Sequence, residues 1–268
     1  MPIECSVCLT PLNQEKFHEL DREVMKHAFA VHNELGRFFD EDIYKTELTR
    51  RCQQAGIPGQ REVTISVVHE TFRKDFYLDM LLAHGAIYEL KCAAVLMARH
   101  EGQLINYLLL TGIQHGKLIN FRSRSVESRF VSTGLTYEKR RMFRIDRSGW
   151  DSGNERTEFL ENLVLSLLED WGAFLTVSLY TDAIIHFLGG EEKVVCPLNV
   201  ICNREIIGTK NVCLLTPGTA IHLSALTQRL KEYETHLVRQ FSHMELNTVQ
   251  WINFSGNHII FRTIPLKK

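Results

Sequence analysis

Two carboxylates and an amine, spaced for adjacent strands, are the residues best suited to chemistry. Asp79 lies in KDFYLDMLLA, and Glu89 and Lys91 lie in AIYELKCAA. Side chains alternate along a strand, so Glu89 and Lys91 share one face. Tyr88, Leu90 and Cys92 around them are mostly apolar, which predicts a well-buried strand. Burying a carboxylate and an ammonium costs several kcal/mol unless they are paired or bound to metal. Asp79 and Glu89 could offer hard oxygen ligands to Mg2+, an ion that leans on substrate phosphate for its remaining ligands. Lys91 could then orient the attacking water and offset charge on a scissile phosphate. Taken alone, E-x-K reads more simply as a salt bridge at a sheet edge.

Other polar groups arrive at set spacings. Gln103 and Tyr107 are separated by one helical turn, as are Glu41 and Tyr44 on an earlier helix. His100, one turn before Gln103, either faces the same place or lies on the surface. Groups from separate elements that converge beside one strand pair raise the weight of the catalytic reading.

The elements that must position these residues follow from periodicity and breakers. Helices are expected over roughly 18–35 and 40–55, and strands over roughly 62–68, 74–82 and 86–92. A helix from 98 to 111 stops at Gly112 and leads to a buried strand over 116–121. The result is a helix, three strands, a helix and a strand: an α/β fold with a mixed central sheet flanked by helices.

The second half of the chain resembles the first. HEGQLINYLLLTGIQHGKLINF (100–121) aligns without a gap to YETHLVRQFSHMELNTVQWINF (233–254). Upstream, LGRFFDEDIY (35–44) parallels WGAFLTVSLY (171–180), at a similar offset. Two ordered matches favour a tandem duplication over chance. The second copy should hold helical stretches near 156–187 and 226–243, with strands near 193–202, 211–216, 219–225, 249–254 and 258–264. Setting AIHLSA (220–225) against AIYELK (86–91) replaces Glu89 by Leu223 and Lys91 by Ala225. Asp79 then falls near Cys213, Glu41 on Val177, Gln103 on His236 and Tyr107 on Gln240. Such a copy cannot hold Mg2+ and reads as a degenerate repeat. The expected organisation is an extension over 1–17, a domain with the intact site over 18–133, a basic linker over 134–153 and the degenerate repeat over 154–268.

Residues 20–121 resemble the GxxExxY family of the PD-(D/E)XK nuclease superfamily. AVHNELGRFFDEDIYKTEL, YLDM, YELK, HEGQLINYLLLTG and KLINF carry the likeness. The resemblance implies a restriction-endonuclease-like core and hydrolysis of phosphodiester bonds in DNA. It makes Asp79 and Glu89 metal ligands, with Glu41 able to complete the set, and Lys91 the catalytic lysine. It likens Gln103 and Tyr107 to a Q-x-x-x-Y motif that supports the active site. Mg2+ is the implied cofactor, with Mn2+ as an alternative. Two residues depart from the pattern: Phe38 stands where the family has its name-giving glycine, and Leu78 replaces the proline before the aspartate.

Composition narrows the partners. Net charge is −1, so bulk electrostatics would not draw the whole molecule to nucleic acid. Local cations such as Arg122, Arg124, Arg129, Lys139, Arg140, Arg141, Arg144 and Arg147 form either a phosphate track or a solvated linker. Apolar runs fall short of the roughly 18 residues of a membrane span, and no organic cofactor is implied. MPIECSVCLTPLNQEK lacks the basic start and apolar core of a secretory signal. Seven scattered cysteines suit reduced thiols and a cytoplasmic protein. Cys5 and Cys8 form a lone CxxC, better read as part of a loosely packed extension than as a zinc site. Two classes of function remain: a Mg2+-dependent nuclease acting on DNA, or an inactive nucleic-acid-binding or scaffold protein with the same fold. A pseudo-two-fold monomer and a homodimer both fit.

Overall fold

The computed structural model describes residues 2–266 and divides into two compact units, Met1–Tyr137 and Glu138–Lys268. Each unit holds one mixed sheet flanked by helices. No described helix is long and apolar enough to cross a membrane.

The first unit runs β1 (Ile3–Cys5), α1 (Gln14–Leu35), α2 (Glu41–Gln54), β2 (Gly59–His69), β3 (Phe72–Leu82), β4 (Ala86–Lys91), α3 (Ala98–Thr111), β5 (His115–Asn120) and β6 (Glu127–Ser132). The strands lie in sequence order, and β4 and β5 form its parallel pair. A parallel pair needs a crossover, which α3 supplies. Asn13 caps α1 through its side-chain oxygen, which accepts from the Lys16 N–H at 2.9 Å. Gly36, at φ 74°, ends that helix in a conformation costly for other residues. Phe17, Val24, Ala28 and Val31 repeat at helical spacing along α1. With Tyr44, Leu48 and Cys52 of α2 they cover Tyr88, Leu90, Ile119 and Phe121 on one face of the sheet. Full burial of each valine, leucine, isoleucine or phenylalanine among them contributes about 1.5–3 kcal/mol.

The second unit, entered through α4 (Tyr137–Arg141), runs β7 (Arg144–Gly149), α5 (Glu155–Trp171), α6 (Val177–Phe187), α7 (Glu191–Val194), β8 (Val195–Cys202), β9 (Glu205–Thr216), β10 (Thr219–Ser224), α8 (Leu230–Phe241), β11 (Thr248–Ser255) and β12 (His258–Pro265). Its sheet order is β7-β12-β11-β10-β9-β8, with β10 parallel to β11 and β12 parallel to β7. From α5 onward, α7 apart, the succession of helices and strands matches that of the first unit from α1. Local contacts recur as well. Tyr44 donates its hydroxyl to the Gly36 carbonyl, and Tyr180 donates to that of Gly172. Tyr44 stacks on Phe121 and Tyr180 on Phe254, each with ring centroids 4.5 Å apart.

Several expectations need correcting. The described part of the extension, from residue 2, is packed rather than loose: β1 adds to the edge of β2, and the Thr10 N–H donates to the His84 carbonyl at 2.8 Å. A Cβ on Gly85 would lie 1.9 Å from the Thr10 oxygen, so the fit requires glycine. The tract over 134–153 is not a free linker, because β7 joins the sheet, pairing Ile145 with Ile259. Arg140, counted as a linker cation, is 1% exposed and donates to the Trp171 carbonyl at 2.6 Å. The helical stretch over 156–187 is two helices broken at Gly172, whose φ is 76°. Strand β6, with exposed positions at Arg129 and Phe130, escaped the periodicity argument altogether.

Candidate active site

Antiparallel pairing of Met80 with Tyr88 brings Asp79 and Glu89 onto the same sheet face, on adjacent strands. Asp79 is 8% exposed and Glu89 is fully buried. Asp79 Oδ2 accepts from the Leu90 N–H at 2.8 Å, which ties the aspartate to the neighbouring strand. Lys91 Nζ lies 2.6 Å from Glu89 Oε1 and 4.0 Å from Glu41 Oε1. Glu41 begins α2, so helix and strand pair meet at this point. The second oxygen of Glu89, Oε2, is buried without a hydrogen-bond partner. An orphaned carboxylate oxygen at such a depth is expensive.

The charges interact strongly. Burial, reinforced by the charges of Asp79 and Glu41, pushes Glu89 well above the usual carboxylate range against the pull of Lys91. Burial also raises Glu41, with Asp79 adding to the effect, while Lys91 and Lys45 counter it. Desolvation works against the Lys91 ammonium, yet Glu89, Glu41 and Asp79 together hold it above its ordinary value.

Sequence reasoning missed two members of this cluster, Lys45 and Glu62. Lys45 Nζ lies 3.0 Å from Asp79 Oδ1 and 2.6 Å from Glu62 Oε1. Desolvation disfavours its charge, but hydrogen bonds to Glu62 and Asp79 outweigh that and raise its pKa. Lys45 is one helical turn after Glu41, so the i, i+4 rule that linked Gln103 to Tyr107 could have found it. Glu62 had no such signal. It is an irregular residue of β2, at φ 50°, between Arg61 and Val63, which pair with Met80 and Leu78.

Helix α3 closes the site from another side. Gln103 Nε2 donates to the Tyr107 hydroxyl at 3.0 Å. Tyr107 is 7% exposed, and its hydroxyl is raised by burial and by the charges of Glu89 and Asp79, against the Gln103 hydrogen bond. His100 does not join them. Its Nδ1 lies 3.2 Å from the Met97 N–H, folded back on the start of its own helix.

Among the described residues, no three His, Cys, Asp or Glu side chains converge as a metal centre. The arrangement explains this: Lys45 engages Asp79 and Lys91 engages Glu89, so two ammonium groups do the charge balancing. The donor set nonetheless fits a hard divalent cation, since it is all carboxylate and one oxygen is unsatisfied.

The second unit is built differently at the corresponding place. Lys91 pairs with Asn120 and Ser224 with Asn253, so Ser224 corresponds to Lys91 and His222 to Glu89. This shifts the sequence alignment, which chose Leu223 and Ala225, by one residue. The strand–helix–strand stretch has the same length in both units, so matching Ala-Ile to Ala-Ile opened a one-residue gap in the second that the strand pairing does not have. Asn120 brackets the Ala93 N–H and carbonyl at 3.1 and 2.8 Å, and Asn253 brackets those of Leu226 at 2.8 and 2.9 Å. His222 Nε2 meets the Tyr233 hydroxyl at 2.7 Å, and Trp251 Nε1 donates to Ser224 Oγ at 2.8 Å. These groups satisfy one another and include no carboxylate, so they do not fit a hard cation such as Mg2+.

A family model described as the PD-(D/E)XK nuclease superfamily matches residues 18–131, from within α1 to within β6. No curated protein and no solved structure matches the chain. Residues 18–131 of the first unit are thus similar to the nuclease superfamily. Members of that superfamily are generally nucleases and typically use divalent metals such as Mg2+.

Proposed function

We propose that the chain is a Mg2+-dependent nuclease, of the GxxExxY type, that hydrolyses phosphodiester bonds in DNA at Asp79, Glu89 and Lys91 of its first unit. The observation that carries this reading is the buried Glu89 carboxylate, beside Asp79 and Lys91, with one oxygen unsatisfied. Asp79 and Glu89 would hold the cation, with Glu41 at the helix start as a further ligand. A divalent cation there would supply Lewis acidity and a hydroxide available at neutral pH. Lys91, fixed against Glu89, orients the attacking water and offsets charge that develops on the phosphate. Tyr107, its hydroxyl aligned by Gln103, borders the same carboxylates and supports their arrangement.

The second unit, on this reading, is a duplicated copy that has lost the site. Support comes from the shared succession of elements, the recurring Tyr44–Phe121 and Tyr180–Phe254 stacks and the paired Asn120 and Asn253 brackets. Acid-to-neutral replacement is confined to one copy, which argues that the other is under functional constraint. The salt bridge from Lys45 to Asp79 is the observation that favours an inactive binding protein instead.

Plasmid nicking in Mg2+ or Mn2+ separates the two. Lys91→Ala should lower the cleavage rate by about 100-fold or more, the scale of losing one charge-stabilising group, with the circular dichroism spectrum unchanged. A wild-type protein that binds DNA and never cuts it would decide for the inactive reading.

A further inference from the structure

The segment entering the candidate site carries an exposed aromatic pair that the catalytic argument leaves unused. Phe38 is 74% exposed and Phe39 45%, three and two residues before Glu41. A lone exposed phenylalanine needs no explanation, but this segment is held in place. Gly36, at φ 74°, turns the chain out of α1, and the Tyr44 hydroxyl donates to its carbonyl while accepting from the Phe39 N–H at 3.2 Å. The Arg37 guanidinium sits 5.0 Å from the Phe38 ring centroid. Three residues span at most about 10 Å, so the Phe38 backbone lies within that distance of the Glu41 backbone.

Charges nearby determine what could lie there. Asp40 and Asp42, on the same turn, are exposed and would repel a phosphate brought against Phe38. Two cations here are already engaged, Arg37 against the Phe38 ring and Arg61 with Asp42 at 3.4 Å, and further cations lie elsewhere on the rim. The Phe121 N–H donates to the Lys91 carbonyl at 2.9 Å, so the chain carrying Arg122 and Arg124 leaves the sheet beside the catalytic lysine. Phosphates are thus favoured at Arg122 and Arg124, and an uncharged flat group at Phe38. Bases in a duplex are paired and stacked and cannot offer a face to a protruding ring, whereas unpaired bases can.

We infer that Phe38, backed by Arg37, is a stacking platform for an unpaired base, and that the strand led into the site is single-stranded nucleic acid. The inference rests on the nuclease reading for the direction of the strand and goes beyond it in naming the substrate's form. Phe38 stands where the resembled family has glycine, so the platform is a feature of this chain.

The test is binding of the full chain to a fluorescent oligothymidylate single strand, followed by anisotropy without divalent metal. A fully paired duplex and a single strand made of abasic sites serve as comparisons. Phe38 is exposed, so its replacement leaves the core intact. Phe38→Ala should weaken single-strand binding by about ten-fold, the scale of one stacked base. It should leave duplex and abasic binding unchanged, and Phe38→Trp should restore affinity. Equal affinities of wild type and Phe38→Ala for the single strand would overturn the inference. So would an equal loss on duplex, or an altered sedimentation coefficient of the free protein, which would mark the ring as a protein contact. Phe38-dependent binding without cleavage would sink the nuclease reading alone; cleavage of DNA indifferent to Phe38 would sink this inference alone.

Discussion

Glu89 concentrates the tension in the first unit, because it is a fully buried acid sharing its surroundings with Asp79 and Glu41. Burial and those charges push it from an ordinary 4.5 up to about 8. Between these values the metal-free folded protein keeps a proton that the unfolded chain releases, so stability should fall as pH rises through the window. Glu89→Gln should flatten that slope in urea titrations while abolishing cleavage and leaving the neutral-pH stability equal to or above that of the wild type. A slope unchanged in Glu89→Gln would show that another group carries the proton. Lys45 and Lys91 limit the cost, each holding one carboxylate; on the nuclease reading a divalent cation would take their place.

Among the elements, the parallel strand–helix–strand stretch sets which polar groups each unit presents, through its first strand. β4 presents Glu89 and Lys91; β10 presents His222 and Ser224 at the same positions. Burial, with a smaller contribution from Lys210, lowers His222 from 6.5 to about 4. Its folded-state value is depressed, so the unfolded chain takes up a proton first, and stability should be lost as pH falls from about 6.5 towards 4. All three tryptophans, Trp150, Trp171 and Trp251, lie in the second unit, so their fluorescence reports its unfolding separately. His222→Gln should make that signal insensitive to pH in this range; an unaltered acid transition would contradict the assignment. The helices α1, α2 and α3 and strands β2 to β5 were legible in sequence because apolar spacing and glycine stops coincide there. β6 and β7 were not, since charged and exposed residues along edge strands erase the alternation that burial of one face creates. The register of β10 was misread by one residue because Ala-Ile repeats locally, whereas hydrogen bonding to β11 decides the pairing.

At the scale of the molecule, two units of like topology carry unlike sites. Asp79, Glu89 and Lys91 could be read as a cluster from alternation and spacing, and Glu41 from its position at a helix start. Lys45, one turn after Glu41, was within reach of the same spacing rule, whereas Glu62 was not, because it is an irregular residue in β2 that only the folded chain reveals. The account requires one cation site per chain, in the first unit. Calorimetric titration with Mn2+ of the full chain tests this most directly. One site per chain is expected, abolished by Asp79→Ala and retained in His222→Ala. A wild-type titration without heat, a stoichiometry of two, or binding that survives Asp79→Ala would contradict it.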